Sequence, residues 1–202
     1  MSAPRRQQTK RRGATNQEAR TTVHVHAQTI VLALLYIVSG WHFVGSWPPP
    51  PLLILMVALA TLLIAASLVD IRQQRLPDAI NAGILALGLG MATLGGAESA
   101  AWSALAALAG FATFYLLGLA YQRWRGVSGL GLGDAKLLGA AGSLVGLAGL
   151  PSVVLIAAAG ALLWTLLLTL AGRPMARDER IAFGPFLALG LWIVWLHGPL
   201  SW

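Results

Sequence analysis

The sequence contains no cysteine and very few charged residues. Without cysteine, disulfides and cysteine-ligated metal sites are excluded. Only 10% of the 202 residues are charged, whereas about a quarter are charged in an ordinary soluble domain. Hydrophobic residues make up 57% of the chain, and the mean hydropathy is +0.72. The composition therefore predicts an integral membrane protein.

Seven apolar segments approach the length that crosses a bilayer, which is about 20 residues for a helix. They cover residues 27–46, 51–69, 78–95, 99–121, 135–150, 152–171 and 183–198. We predict an all-α, polytopic integral membrane protein with about seven transmembrane helices. The third and fifth segments are short and rich in glycine, so whether residues 78–95 and 135–150 cross completely stays open.

The positions of the basic residues predict the orientation. With the N-terminus in the cytoplasm, all 14 lysines and arginines fall on the cytoplasmic side. The opposite loops, near residues 46–51, 95–98 and 150–151, contain none. This is the positive-inside distribution of a multi-pass membrane protein. The membrane orientation therefore explains the net charge of +7, and no nucleic-acid partner is predicted.

The chain divides into three regions by composition. Residues 1–25 are polar and basic and predict a disordered cytoplasmic tail. Residues 26–50 predict an additional N-terminal transmembrane helix followed by a proline-rich loop. Residues 51–202 form the remaining domain, with about six helices.

Two aspartates stand at the ends of apolar segments on the predicted cytoplasmic side. Asp70 follows the second segment and Asp134 precedes the fifth. An ionisable residue at a bilayer boundary is costly and suggests a function. The helix dipole disfavours a negative charge at Asp70, because this residue lies at the C-terminal end of its segment. The structural alternative for Asp70 is an ion pair with Arg72 or Arg75. For Asp134 the alternative is a helix N-cap.

Residues around Asp134 add to the functional interpretation. Gly131 and Gly133 expose backbone groups and let another chain lie close, which suits a peptide that must reach the aspartate. Lys136 has three interpretations: it holds Asp134 ionised, it orients a substrate, or it anchors the helix at the interface.

Two prolines mark predicted helix starts on the same side. Pro77 begins the helix after Asp70, and Asp78 in its first turn complements the helix dipole. Gly184 and Pro185 fix the start of the last segment, for which a plain helix-start turn is the structural alternative.

Three elements carry a resemblance to a known family: residues 70–78, 131–138 (GLGDAKLL) and 183–186 (FGPF). In order, spacing and topology they resemble the type IV prepilin peptidases, which are membrane aspartic peptidases, over about residues 51–198. The resemblance implies catalysis by Asp70 and Asp134. It also implies removal of a short basic leader from pilin-like precursors at the cytoplasmic face of the bacterial inner membrane. The residues expected to position the substrate are Gly131, Gly133, Lys136, Pro77, Gly184 and Pro185. No metal and no cofactor are expected.

The sequence departs from larger family members at two points. Those members carry an N-terminal cytoplasmic domain with paired cysteines, and many also methylate the new N-terminus. That domain is missing from this sequence, so N-methyltransferase activity stays open. Ala182 stands where a proline often precedes the last element. The compact form is similar to the short peptidases of tight-adherence pili and some secretion systems.

A carboxylate pair suits proteolysis because two close carboxylates share one proton and can act as acid and base. Three alternatives stay open: a small membrane transporter, a non-catalytic component of a pilus or secretion machine, and an aspartic protease that cuts within transmembrane helices. The oligomeric state and the precursor are not predicted.

Overall fold

The computed structural model describes residue 36 and residues 49–126, 131–172 and 182–200. Within these residues there are five helices and no strand. The helices are α1 (Pro50–Gln73), α2 (Asp78–Leu94), α3 (Ala97–Arg125), α4 (Leu132–Leu170) and α5 (Gly184–His197). The all-α prediction is confirmed.

Three helices, α1, α3 and α4, are long and apolar enough to cross a bilayer. The helices α2 and α5 are apolar but shorter. Each of the five coincides with predicted segments to within a few residues at its ends. The predicted tail and nearly all of the first predicted segment lie outside the described residues. From that segment only Tyr36 is described, buried and 5.7 Å from the ring centre of Trp192.

Helix α4 is broken at Gly146, which has φ 70° and ψ −179°. In a straight helix, Leu138 and Leu150 would be about 18 Å apart. A Cβ built on Gly110 of α3 would nevertheless lie 2.6 Å from the Leu138 carbonyl oxygen and 3.2 Å from the Leu150 side chain. The chain therefore folds back at Gly146, where glycine allows the positive φ. Two segments were predicted here, but the predicted break at residues 150–151 was wrong, because Pro151 lies inside the second segment.

Residues 132–145, the first half of α4, run antiparallel to α3 through glycine contacts. Gly139 lies against Phe111, and Gly142 lies against the backbone carbonyl of Ala106. In lipid, helices gain little from hydrophobic burial against one another, so close backbone approach and packing hold them together. These glycines set the distance between α3 and α4.

Residues 147–170, the second half of α4, run antiparallel to α5 in the same manner. A Cβ on Gly190 would lie 2.6 Å from the Val153 carbonyl oxygen, and one on Gly160 would lie 3.2 Å from the Phe186 ring. The two halves of α4 thus attach α3 and α5 to one bundle. The largest fully buried side chains come from four of the five helices: Leu59, Leu63, Ile84, Leu137, Leu138, Leu187 and Leu191.

The starts of α2, α4 and α5 meet the end of α1 at one end of the bundle, which we call the basic end. Leu76, in the loop after α1, contacts Gly133, and Gly184 contacts Asp70. The described lysines and arginines lie at this end or at the adjoining end of α3: Arg72, Arg75, Arg123, Arg125 and Lys136.

Replacing Gly142 tests the glycine contact between α3 and α4. The Cβ of Gly142→Ala would overlap the Ala106 carbonyl, so the helices must separate, at a cost of about 1–3 kcal/mol. We expect a lower thermal midpoint in detergent. Gly90→Ala is the matched control, since a Cβ there meets no atom within 4 Å and should be neutral or stabilising. Equal midpoints for the two variants would contradict the described packing.

Candidate active site

Asp70 is buried in the last turn of α1, with 6% of its surface exposed. The backbone N–H of Gly184 donates a hydrogen bond of 3.0 Å to its Oδ2. Gly184 is the first residue of α5, where backbone N–H groups have no acceptor within the helix. The Asp70 carboxylate therefore accepts a hydrogen bond from an N–H group that would otherwise lack a partner at the start of α5. The ion pair considered for Asp70 is not formed, because no such pair with Arg72 or Arg75 occurs in the described residues.

Gly184 must be a glycine for this contact. A Cβ at this position would lie 2.6 Å from Oδ2 of Asp70 and 3.1 Å from its carboxyl carbon. The carboxylate would have to leave its position. Gly184 was predicted to position a substrate, but its contact is with the candidate catalytic residue.

Asp134 lies in the first turn of α4 and is half-buried. The N-cap of α4 is Gly131, so the structural alternative considered for Asp134, a helix N-cap, was wrong. The backbone of Gly131 instead lies beside the Asp134 carboxylate and favours its charged form. Asp134 thus occupies the third position after the N-cap, where an acidic residue stands in a capping box. A Cβ on Gly131 would lie 3.2 Å from Oδ2 of Asp134.

The two aspartates line one cavity, although they are far apart in sequence. The cavity has a volume of about 320 Å³ and opens at the basic end. The Asp70 and Asp134 carboxyl groups are close enough to interact electrostatically. The remaining lining residues are Gln74, Arg75, Leu76, Asp78, Gly131, Leu132, Gly133 and Lys136. In the described residues no group of three or more His, Cys, Asp or Glu side chains could hold a metal ion.

Gly133 allows the two chain segments that line the cavity, the loop after α1 and the start of α4, to lie in contact. A Cβ on Gly133 would lie 3.0 Å from the Cβ of Leu76 and 3.5 Å from its backbone nitrogen. The absence of a side chain thus lets the loop after α1 lie against the first turn of α4. A chain was predicted to approach these glycines, and in this structure that chain is the protein's own loop.

Lys136 forms an ion pair with Asp78, with 2.6 Å between Nζ and Oδ1. The interpretation that Lys136 holds Asp134 ionised was therefore wrong, because its described partner is a different carboxylate. Asp78 opens α2 and is 76% exposed. Its predicted place in the first turn of a helix is confirmed.

Pro77 and Pro185, like Gly184, mark helix starts and do not line the cavity, although all three were predicted to position a substrate. Pro77 is the N-cap of α2, where its carbonyl accepts a hydrogen bond from the Asn81 N–H. Pro185 is fully buried in the first turn of α5. Neither belongs to the described residues that line the cavity. Both act on the site through the helices that they start.

The cavity also contains residues that were not predicted to catalyse or to position a substrate: Gln74, Arg75, Leu76 and Leu132. Gln74 ends α1 with φ 51° and is the one non-glycine residue with positive φ in the described part of the chain. Glycine or asparagine is the usual signal for this conformation. Glutamine gives no such signal, so the turn was not recognised.

Comparison with known proteins supports the family resemblance. The family described as the Type IV leader peptidase family matches residues 57–166, more than half of the chain and a range that contains both aspartates. No solved structure matches the chain.

Several curated proteins are similar to the chain, and each is called "Prepilin leader peptidase/N-methyltransferase". The protein from Burkholderia pseudomallei is 37% identical over 65% of this chain and 42% of its own length. The one from Xanthomonas campestris is 31% identical over 84% and 57%. The one from Aeromonas hydrophila is 35% identical over 69% and 48%. The chain therefore spans about half the length of these curated relatives.

The ion pair between Lys136 and Asp78 should add little to stability. Both side chains are partly in water, where an ion pair contributes less than about 1 kcal/mol. We expect Lys136→Met, Asp78→Asn and the double variant to melt within a few degrees of the unchanged protein. A coupling energy well above that value in the double-mutant cycle would show that the pair is a structural clamp.

Proposed function

The chain belongs to the type IV leader peptidase family, and on this premise we propose that it is a membrane-embedded aspartic endopeptidase. Its substrates would be pilin-like precursors, from which it removes the basic leader. The observation that carries the proposal is the meeting of Asp70 and Asp134 in one cavity at the basic end of an apolar helical bundle.

The two carboxylates are suited to general acid–base chemistry on a peptide bond. In the proposed reaction, the ionised carboxylate takes a proton from a water molecule as that water attacks the scissile carbonyl carbon. The protonated carboxyl group donates a hydrogen bond to the developing oxyanion. A proton then passes to the amine nitrogen, and the C–N bond breaks. The pair shares its proton, so neither role is assigned to a single residue.

Burial of two neighbouring carboxylates favours a shared proton, because two close negative charges repel each other. Backbone groups of Gly184 and Gly131 lie beside them, and within the described residues no lysine or arginine pairs with either one. A cation beside the pair would favour two ionised carboxylates. Lys136, the basic residue nearest in sequence to Asp134, is engaged by Asp78.

Charge distribution supports a cytoplasmic location for the site. The described basic residues lie at the end of the bundle that holds the aspartates, and the positive-inside rule assigns such an end to the cytoplasm. We therefore place the N-terminus and the active site on the cytoplasmic side of the bacterial inner membrane. This topology requires about seven transmembrane helices, with residues 26–50 as an additional one before the peptidase domain of residues 51–202.

The position of the site also supports a proposal for the bond that is cut. Water reaches the cavity at the boundary, whereas an apolar helix of the substrate stays in the bilayer. A bond immediately before such a helix meets both requirements. The names of the relatives also include N-methyltransferase, but the chain spans about half of their length, and the proposal is restricted to peptidase activity.

Substitution of either aspartate tests the proposal. Asp70→Asn and Asp134→Asn keep the shape of the side chain but remove the acid–base group, so each should lower cleavage at least about 100-fold. The measurement is cleavage of a co-expressed pilin-like precursor in membranes, read by gel shift and N-terminal sequencing. Asp78→Asn, which changes an exposed carboxylate in the same cavity, is the matched control and should cleave nearly normally. Normal cleavage by either of the first two variants would refute the dyad.

Substitution of Gly184 tests how Asp70 is held. Gly184→Ala would push the Asp70 carboxylate from its hydrogen bond, and a displacement of about 1 Å at a reacting group can cost about 100-fold in rate. The same cleavage assay should show this loss at normal protein levels. Gly90→Ala adds the same methyl group where there is space and should keep full activity. If both alanine variants cleave equally, the contact with Asp70 does not matter for catalysis.

A further inference from the structure

Asn81 is a buried polar residue for which the fold gives no structural reason. It is 4% exposed, and neither Oδ1 nor Nδ2 has a hydrogen-bond partner in the described part of the chain. A buried amide without partners is destabilising. Such groups are rare in folded proteins and call for an explanation, which is often functional.

The position of Asn81 follows from two contacts between α2 and α4. Asp78 pairs with Lys136, and Gly88 lies against Ser143, so α2 runs parallel to the first half of α4. Asn81 and Gly88 are about 20° apart around the helix axis, so both face α4. Asn81 is also about 4.5 Å further along the axis than Asp78, which lines the cavity. The amide therefore lies just beyond the cavity, on its membrane side.

The substrate of the proposed reaction has backbone N–H groups that need hydrogen-bond acceptors at the same depth in the membrane. This step depends on the proposed function, in which the cut bond precedes an apolar helix. The first four N–H groups of any helix lack acceptors within the helix. In the hydrocarbon region water cannot supply them. Asparagine is among the best side chains for capping such N–H groups.

We propose that Asn81 is a substrate-positioning residue that caps the apolar helix of the precursor. Its Oδ1 accepts a hydrogen bond from an N–H in the first turn of that helix, and its Nδ2 donates to a carbonyl of the segment that leads to the scissile bond. This contact requires a rotation about χ1 that turns the amide from the face toward α4 to the cavity side. Because the amide has no partner in its buried position, this rotation breaks no hydrogen bond.

Asn81→Leu separates this role from a structural one, since it keeps the size of the side chain but removes both polar atoms. We expect thermal stability to be equal to or higher than that of the unchanged protein, because an unsatisfied amide is removed. We also expect kcat/KM for precursor cleavage to fall at least about tenfold, mainly through KM, because the cap forms when substrate binds. Unchanged KM and kcat would overturn the proposal.

Ser103→Ala is the matched control with the opposite expected pattern. Ser103 is buried at the far end of the bundle and donates a hydrogen bond to the Ser143 carbonyl. Its loss should lower the thermal midpoint but leave KM unchanged. If Asn81→Leu behaved in the same way, Asn81 would be an ordinary packing residue.

Crosslinking provides a test that does not depend on turnover. The chain has no cysteine, so Asn81→Cys in an Asp70→Asn background introduces one thiol into an enzyme that retains its substrate. After addition of a copper–phenanthroline oxidant to the membranes, which accepts the two electrons, we expect a disulfide with a precursor that carries one cysteine in the first turn of its apolar helix. Ser99→Cys, at the opposite end of the bundle, should not crosslink.

A further variant distinguishes failure of this inference from failure of the proposed function. Leu132→Cys places a thiol on the exposed cavity wall and should crosslink to a cysteine in the leader. Crosslinking from position 132 but not from position 81 would overturn the role of Asn81 and leave the peptidase proposal intact. No crosslink from either position would contradict substrate binding in the cavity, and both proposals with it.

Discussion

The hydrogen bond from the Gly184 N–H to Asp70 is the interaction on which the site depends. It joins the end of α1 to the start of α5, and it gives a buried carboxylate a partner without using a cation. Asp134 likewise lies beside backbone at a helix start, that of Gly131, which favours its charged form. Each carboxylate thus lies against the backbone at a helix start. Helix starts provide N–H groups without intrahelical acceptors, and glycine lets a carboxylate approach them closely.

Fixing the pair with backbone groups has a chemical consequence. A lysine or arginine would also compensate a buried carboxylate, but it would favour full ionisation of both. An aspartic dyad needs one proton between its two members. The nearby cation, Lys136, pairs with the exposed carboxylate of Asp78 at the rim. The two acidic residues lie in different environments. Only 6% of the surface of Asp70 is exposed, whereas 76% of the Asp78 side chain is exposed.

The features that the sequence predicted well are those with local causes. Helix positions follow from hydropathy, and Asp70 and Asp134 are conspicuous because charge is rare at the ends of apolar segments. The features that it predicted poorly depend on contacts between distant segments. The Lys136 partner is 58 residues away, and the contact of Gly184 with Asp70 spans 114 residues. The break at Gly146 was missed because Pro151 gave a stronger local signal nearby, whereas many glycines in these helices serve packing.

On the proposed function, the location of the two aspartates follows from the two reactants that they must bring together. Water is available only outside the hydrocarbon region, whereas an apolar substrate helix is stable only within it. A site deep in the bundle would lack water, and a site on an exposed loop could not hold the start of a membrane helix. Carboxylates in the terminal turns of α1 and α4 satisfy both conditions, because the bundle buries them on one side and the cavity opens on the other. By the same reasoning, the proposed function places a polar group for the substrate helix one turn deeper than the cavity wall, and Asn81 is buried at that depth.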